Sequence, residues 1–356
     1  MDIKTLQEVT ENFTRELKDA AHGSPVSLSF IKNSIPQSPL IAQGQIFQSM
    51  VAGGTIFRTS LVEKTPEGLR LISISDLQQP PFDTKEGFFE FLLARLDPNV
   101  SVLALNLAFP LDPVFENGKL DGTLLYATKE HRFTGLIGEE VGKSFEAFVY
   151  ASTSRSIHVS VANDTICLLL SGLIQYPANI LAAGIVGTGL NFAIFQDDTT
   201  PVNLEVGGFD KFPPSEELKL VDAKSNKPGH YLFEKAIAGG YLYQHLNVQL
   251  TKQGISYTPL PASTLLTDLA KGQISQVGDM SKTILASSAQ LIACAVAGIM
   301  KYNHKSMIFI MQGSLFWKGY KYKEIVKQTV KDLTDYNAEF AYIEDSDLLG
   351  AAKLVA

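Results

Sequence analysis

"AAGIVGTGLNFAIFQ", residues 182–196, reads as a strand, a Gly-Thr-Gly turn and a second strand. Apolar and β-branched residues flank a turn whose glycines let backbone N–H groups come close to an anion. Residues 46–63, "IFQSMVAGGTIFRTSLVE", repeat the design around Gly53, Gly54 and Thr55. The chain therefore carries two similar phosphate-turn candidates, one in each half.

Working outward, strand-like runs occur at 46–51, 56–63, 69–75 and 101–107, with a helical stretch, "TKEGFFEFLLARL", between the last two. Residues 138–153 read as a helix and 156–164 as a strand with Ile157, Val159 and Val161 alternating. "DTICLLLSGLIQ" reads as a helix. A long helical region is expected over 229–246, then "PASTLLTDLAKG" and the apolar, buried helix 283–302. A buried strand at 307–315 ending in a glycine turn, an amphipathic helix at 322–336, a last strand and a last helix complete an α/β pattern.

With 356 residues, two domains are the natural expectation. Hydrophobic residues make up 45% and charged residues 19%, the balance of a globular protein. A formal charge of −7 gives no electrostatic reason to expect nucleic acid or an anionic membrane as partner. Cys167 and Cys294 lie in apolar runs and are expected to be buried, reduced thiols. No Cys or His pair has metal-ligand spacing, so no resident metal site is expected. The start of the chain lacks an apolar h-region, and Leu6, Val9, Phe13 and Leu17 recur at helical spacing. No apolar run reaches membrane-spanning length without interruption, so a cytoplasmic protein is expected.

Several polar residues invite chemistry. Asn163 and Asp164, in "VANDT", fall at the carboxyl end of a predicted strand, where α/β sheets hold ligands. Asn-Asp is also ordinary turn chemistry. Thr128 and Lys129 in "YATKEH", Thr188 and Asn191 in "VGTGLN", Glu205 in "NLEVGGF" and Glu234 in "PGHYLFEKAIAGGYL" each have a bland reading as surface or edge residues. Their order and spacing as a set carry more weight than any one of them.

The set resembles the eukaryotic-type hexokinases of the actin-like ATPase superfamily over nearly the whole chain. "DGTLLYATKEHRFTG", "VSVANDTICLLLSG", "AAGIVGTGLNFAIF" and above all "PGHYLFEKAIAGGYL" carry the resemblance. It implies a two-lobed, ribonuclease-H-like α/β fold. The small domain would span 46–163 plus 343–356 and the large domain 1–45 plus 164–342, with a sugar cleft between them. It implies that Thr128, Lys129, Asn163, Asp164, Asn191, Glu205 and Glu234 hold a hexose, glucose-like, with Asp164 as general base for the 6-hydroxyl. It implies that Gly53, Gly54, Thr55 and Arg58, with Gly187, Thr188 and Gly189, face the phosphates of ATP with Mg²⁺, and that Gly313 and Ser314 lie near the adenosine.

The departures from the family pattern are specific. Val51 stands where the family has an acid before the first glycine pair, and Ile56 where it has Asn. Ala108 replaces the Ser of the sugar loop, Gln312 the Asp before Gly-Ser, and Ser346, Asp347 and Leu348 a late Gly-Ser-Gly. All but Ala108 lie on the nucleotide side. Losing one carboxylate near Mg²⁺ costs about 3 kcal/mol of transition-state stabilisation. Two readings follow: an ATP-dependent hexose kinase, or a sugar-binding, regulatory relative that transfers phosphate slowly or not at all.

Overall fold

The computed structural model describes residues 1–53, 56–127, 131–272 and 275–356. In chain order the elements are α1 (Ile3–Ala21), β1 (Ile31–Lys32), β2 (Ile46–Ala52), β3 (Ile56–Thr65), β4 (Gly68–Gln78), α2 (Lys85–Leu93), β5 (Val102–Leu107), β6 (Leu111–Glu116), β7 (Lys119–Leu124), α3 (Val141–Thr153), β8 (His158–Asn163) and α4 (Asp164–Ser171). They continue with β9 (Leu181–Val186), β10 (Leu190–Asp197), β11 (Thr200–Asn203), α5 (Glu216–Ala223), α6 (Leu232–Ile237), α7 (Leu242–Lys252), α8 (Thr264–Lys271), α9 (Gln276–Asn303), β12 (Met307–Gln312), α10 (Ser314–Lys318), α11 (Tyr322–Leu333), β13 (Ala338–Ala341) and α12 (Ser346–Ala352). Two compact units result: Met1–Phe30 with Gly184–Phe192 and Leu204–Tyr342, and Ile31–Ala183 with Ala193–Asn203 and Ile343–Ala356.

The first unit is mainly helical around β12 and β13, which run parallel with Met307 opposite Ala338. In α1 the spacing of Leu6, Val9, Phe13 and Leu17 buries one face, and the Asp2 carboxylate caps the helix by accepting the Thr5 N–H at 3.0 Å. This face packs on α9, where Gly298 leaves room for the Phe13 ring: a Cβ there would sit 2.7 Å from it. By length and composition α9 could cross a membrane, yet 78% of its most apolar window is buried inside the protein. Both cysteines are buried and unpaired.

The second unit holds a five-stranded sheet in the order β4-β3-β2-β5-β8. β2 pairs antiparallel with β3 and parallel with β5, and β5 pairs parallel with β8. A phenylalanine-rich core, including Phe82, Phe88, Phe89, Phe109, Phe133 and Phe145, packs against this sheet. Helix α12 returns to the unit and packs on α4 and on β2, β3 and β5. Gly350 makes this close approach possible, since a Cβ there would overlap the Cys167 carbonyl.

One expectation is corrected. The helical region 229–246 is two helices, α6 and α7, because the N–H groups of Gly239 and Gly240 in the break are committed to other backbone. The segment 307–315 is a strand to Gln312 that ends, as expected, in a glycine turn, where Gly313 adopts φ +113° and α10 begins. The hairpin β6–β7, closed by Asn117 and Gly118 at positive φ, lies in a stretch the sequence reading leaves unassigned.

Candidate active site

In the first unit, the 187–189 turn between β9 and β10 is built from backbone against backbone. Its Gly187 N–H donates to the Gly189 carbonyl at 3.0 Å, and the Gly187 and Thr188 carbonyls accept the N–H groups of Gly239 and Gly240 at 2.7 and 3.0 Å. A Cβ on Gly239 or Gly240 would come within 2.9 or 2.8 Å of those same oxygens. Gly313 stands on another side, 3.3 Å from where a Gly187 Cβ would be, and its own Cβ would overlap the Val186 carbonyl. Gly187, Thr188, Gly189, Gly313 and Ser314 thus share one glycine-walled turn region, the kind of surface that admits a phosphate closely.

The same turn leads into three polar side chains. Asn191 Nδ2 donates to Glu205 Oε1 at 3.1 Å, and its Oδ1 accepts the Phe192 N–H at 2.8 Å. Glu234, in the first turn of α6, accepts the Leu190 N–H on Oε2 at 3.2 Å. Gly207 lets Glu234 approach, since a Cβ at that glycine would lie 3.1 Å from the Glu234 Cβ. Glu205 has φ +45°, a left-handed conformation that costs a non-glycine residue of order 1–3 kcal/mol and gathers at functional sites. Asn191, Glu205 and Glu234 are therefore assembled beside the glycine turn.

Behind Glu234 lies a buried clamp. Lys235, 2% exposed, donates to Asp222 Oδ1 at 2.5 Å and to the Lys227 carbonyl at 2.7 Å. Asp222 also accepts the Gly229 N–H at 2.9 Å, and His245 Nε2 lies 2.9 Å from the Lys235 carbonyl. Burial works against the Asp222 charge, but Lys235 and the Gly229 N–H outweigh it and hold its carboxyl below the usual range. Burial pushes the His245 imidazole below its ordinary value.

In the second unit, Asn163 and Asp164 sit where β8 passes into α4. Asn163 caps the helix through the Thr165 N–H at 3.0 Å and donates Nδ2 to the Phe109 carbonyl at 3.3 Å. Asp164 Oδ1 accepts the Thr165 N–H at 2.7 Å and the Thr165 hydroxyl at 3.2 Å. A Cβ on Gly53 would lie 2.8 Å from the Ile56 carbonyl. Gly54, Thr55, Thr128 and Lys129 lie outside the described residues.

Arg58 is held by carboxylates: Asp347 Oδ1 at 2.6 Å, Asp345 Oδ1 at 2.7 Å and Asp76 Oδ1 at 3.0 Å. Burial opposes the guanidinium charge, and these acids more than offset it, raising its pKa. Burial pushes the Asp347 carboxyl up, against the pull of Arg58. Sequence reasoning misses Gly239, Gly240, the Asp222–Lys235 clamp and the role of Asp347. The double glycine after α6 is a visible signal; the clamp has none, because it depends on the chain folding back.

Three comparisons bear on this arrangement. Residues 264–356 match the Hexokinase family model. Hexokinase-2 of Saccharomyces cerevisiae is 24% identical over an alignment covering 99% of this chain and 89% of that protein. Hexokinase-1 of Oryza sativa subsp. japonica is 26% identical over 262 residues, 63% of this chain, and the match spans only about half of that protein's length, 51%. Among solved structures, the Schistosoma mansoni hexokinase complexed with glucose superposes with a TM-score of 0.81 at 19% identity, covering 100% of this chain and 95% of that one. A ROK family glucokinase from Streptomyces griseus, in complex with glucose and AMPPNP, gives 0.60 at 17% identity over 87% of this chain and 99% of that one. The fold is thus the α/β actin-like type that the paired glycine turns and the motif set lead one to expect. Family model, near-full-length sequence matches and fold all make this chain similar to the hexokinases.

Proposed function

We propose that the chain is an ATP-dependent hexose kinase acting on the 6-hydroxyl of a glucose-like sugar. The observation that carries this reading is the assembly of Asn191, Glu205 and Glu234 beside the glycine-walled turn. Paired carboxylates and an amide match the alternating donors and acceptors of a hexose and reject analogues that leave them unpaired. The glucose and the ATP analogue named for the solved neighbours support both halves of the reading.

In this reading Asp164 takes the proton of the 6-hydroxyl as that oxygen bonds to the γ-phosphorus and the bridging oxygen leaves with ADP. Asn163, tied to Phe109 beside Ala108, orients the sugar, with Thr128 and Lys129 completing the hydroxyl contacts. The turns at Gly53 and at 187–189 hold the phosphates. Mg²⁺ neutralises phosphate charge when bound. The hard oxygens of Asp345 and Asp347 suit it, and the buried Asn106, which bonds the Asp347 carbonyl through Nδ2, has no hydrogen-bond partner for its Oδ1 among the described residues.

A second reading, a hexose-binding protein with weak or no transfer, draws on Val51 and Ile56 in place of the family's acid and amide. A coupled assay for sugar 6-phosphate decides. Turnover that vanishes in Asp164→Ala supports the kinase; calorimetric binding of glucose with no turnover and no nucleotide binding overturns it.

A further inference from the structure

Position 51 holds a valine where the hexokinase pattern has an acid. Val51 lies directly opposite Arg58 on β3 and opposite Asn106 on β5. Directly paired residues project from the same face of a sheet, so Val51, Arg58 and Asn106 share one face. The N-terminus of α12 covers that face. Arg58 Nη1 meets Asp347 Oδ1, Asn106 Nδ2 donates to the Asp347 carbonyl at 3.3 Å, and Ser49, two residues before Val51 on the same face, donates to the Leu348 carbonyl at 2.8 Å.

Asp347 thus stands over the row from which an acid at position 51 would project. Arg58 and the Leu348 N–H both bond its Oδ1, and no described residue hydrogen-bonds its Oδ2. Asn106, only 1% exposed and joined to the Asp347 carbonyl through Nδ2, leaves its Oδ1 without a partner among the described residues. An unsatisfied amide oxygen on the residue that bonds the Asp347 backbone, and an open oxygen on the Asp347 carboxylate, are donors of the hard-oxygen kind that a cation takes.

We infer that Asp347 supplies, from α12, the carboxylate that position 51 lacks, and with Asn106 holds the Mg²⁺ of a bound nucleotide. The inference rests on the nucleotide-binding reading above. It turns two departures, Val51 and Asp347, into one exchange of a carboxylate between neighbouring elements. Arg58 fixes Asp347 through one oxygen, and Mg²⁺, which keeps several of its waters, is held through the other.

The test is calorimetric titration of the full chain with ADP, with and without Mg²⁺, on wild type, D347N, and V51D/D347S, with far-UV circular dichroism as the check on folding. D347N keeps the shape of the side chain and the bond to Leu348. Expected are a roughly tenfold or greater tightening of ADP binding by Mg²⁺ in wild type, less than about twofold in D347N, and recovery in V51D/D347S. An undiminished Mg²⁺ effect in folded D347N overturns the exchange and leaves nucleotide binding intact. ADP binding that ignores Mg²⁺ in wild type does the same. No ADP binding under either condition overturns both the exchange and the nucleotide-binding reading.

Discussion

The Glu234 carboxylate accepts the Leu190 N–H at 3.2 Å, which ties the first turn of α6 to the turn that presents Asn191. Replacing Glu234 by Ala leaves that N–H without its acceptor and releases the turn. A lost contact of this kind costs about 1–3 kcal/mol, so glucose affinity should fall roughly tenfold to a hundredfold. Calorimetry with glucose measures it. Unchanged affinity in folded Glu234→Ala would remove this carboxylate from the sugar set.

Gly313 is the second point of leverage. Its φ of +113° and the Val186 carbonyl, which overlaps the position its Cβ would take, leave no place for a side chain. Gly313→Ala should destabilise the first unit by about 1–3 kcal/mol and open the wall of the 187–189 turn. A lowered urea midpoint with weakened ADP binding is the expected pair of results. A midpoint equal to wild type would mean that the backbone relaxes there at no cost.

The 187–189 glycine turn is legible in the sequence because its signal is local: apolar strands on each side of residues that tolerate close backbone approach. The hairpin β6–β7 is equally local, since Asn-Gly between strand-like runs is a strong hairpin signal, and only the chemistry-bearing segments on each side draw attention away from it. The break between α6 and α7 is harder to read. Helical periodicity continues through Gly239 and Gly240, and what stops the helix is a tertiary commitment of their N–H groups to Gly187 and Thr188. The joining of Asn191 to Glu205 and Glu234 is visible only by resemblance, because no periodicity brings residues 191 and 234 together. Asp347 stands out in the sequence as a departure, but its position over Val51 requires the return of α12 onto β2.

The Asp222–Lys235 pair predicts an asymmetric mutational response. Asp222→Ala leaves a buried ammonium with, among the described residues, the Lys227 carbonyl alone, and breaking a buried pair in this way costs about 3–5 kcal/mol. Lys235→Met in the same background removes the stranded charge and should recover much of the loss. Denaturant midpoints of the two single variants and the double variant report the coupling. Additive losses would show that the pair does not act as a unit.

His245 sets a pH dependence with a definite sign. Burial holds its imidazole below the ordinary value of 6.5, so below that pH the unfolded chain takes up a proton that the folded chain does not. The stability tied to the neutral ring is present above 6.5 and is lost as pH falls toward the depressed folded value. Wild-type denaturation midpoints should therefore drop between about pH 7 and pH 5. His245→Gln cannot titrate there, and its amide can still donate to the Lys235 carbonyl. Its midpoint should depend less steeply on pH over the same interval. An identical slope in the two proteins would assign the acid loss to other groups and leave His245 as a packing residue beneath the Glu234 turn.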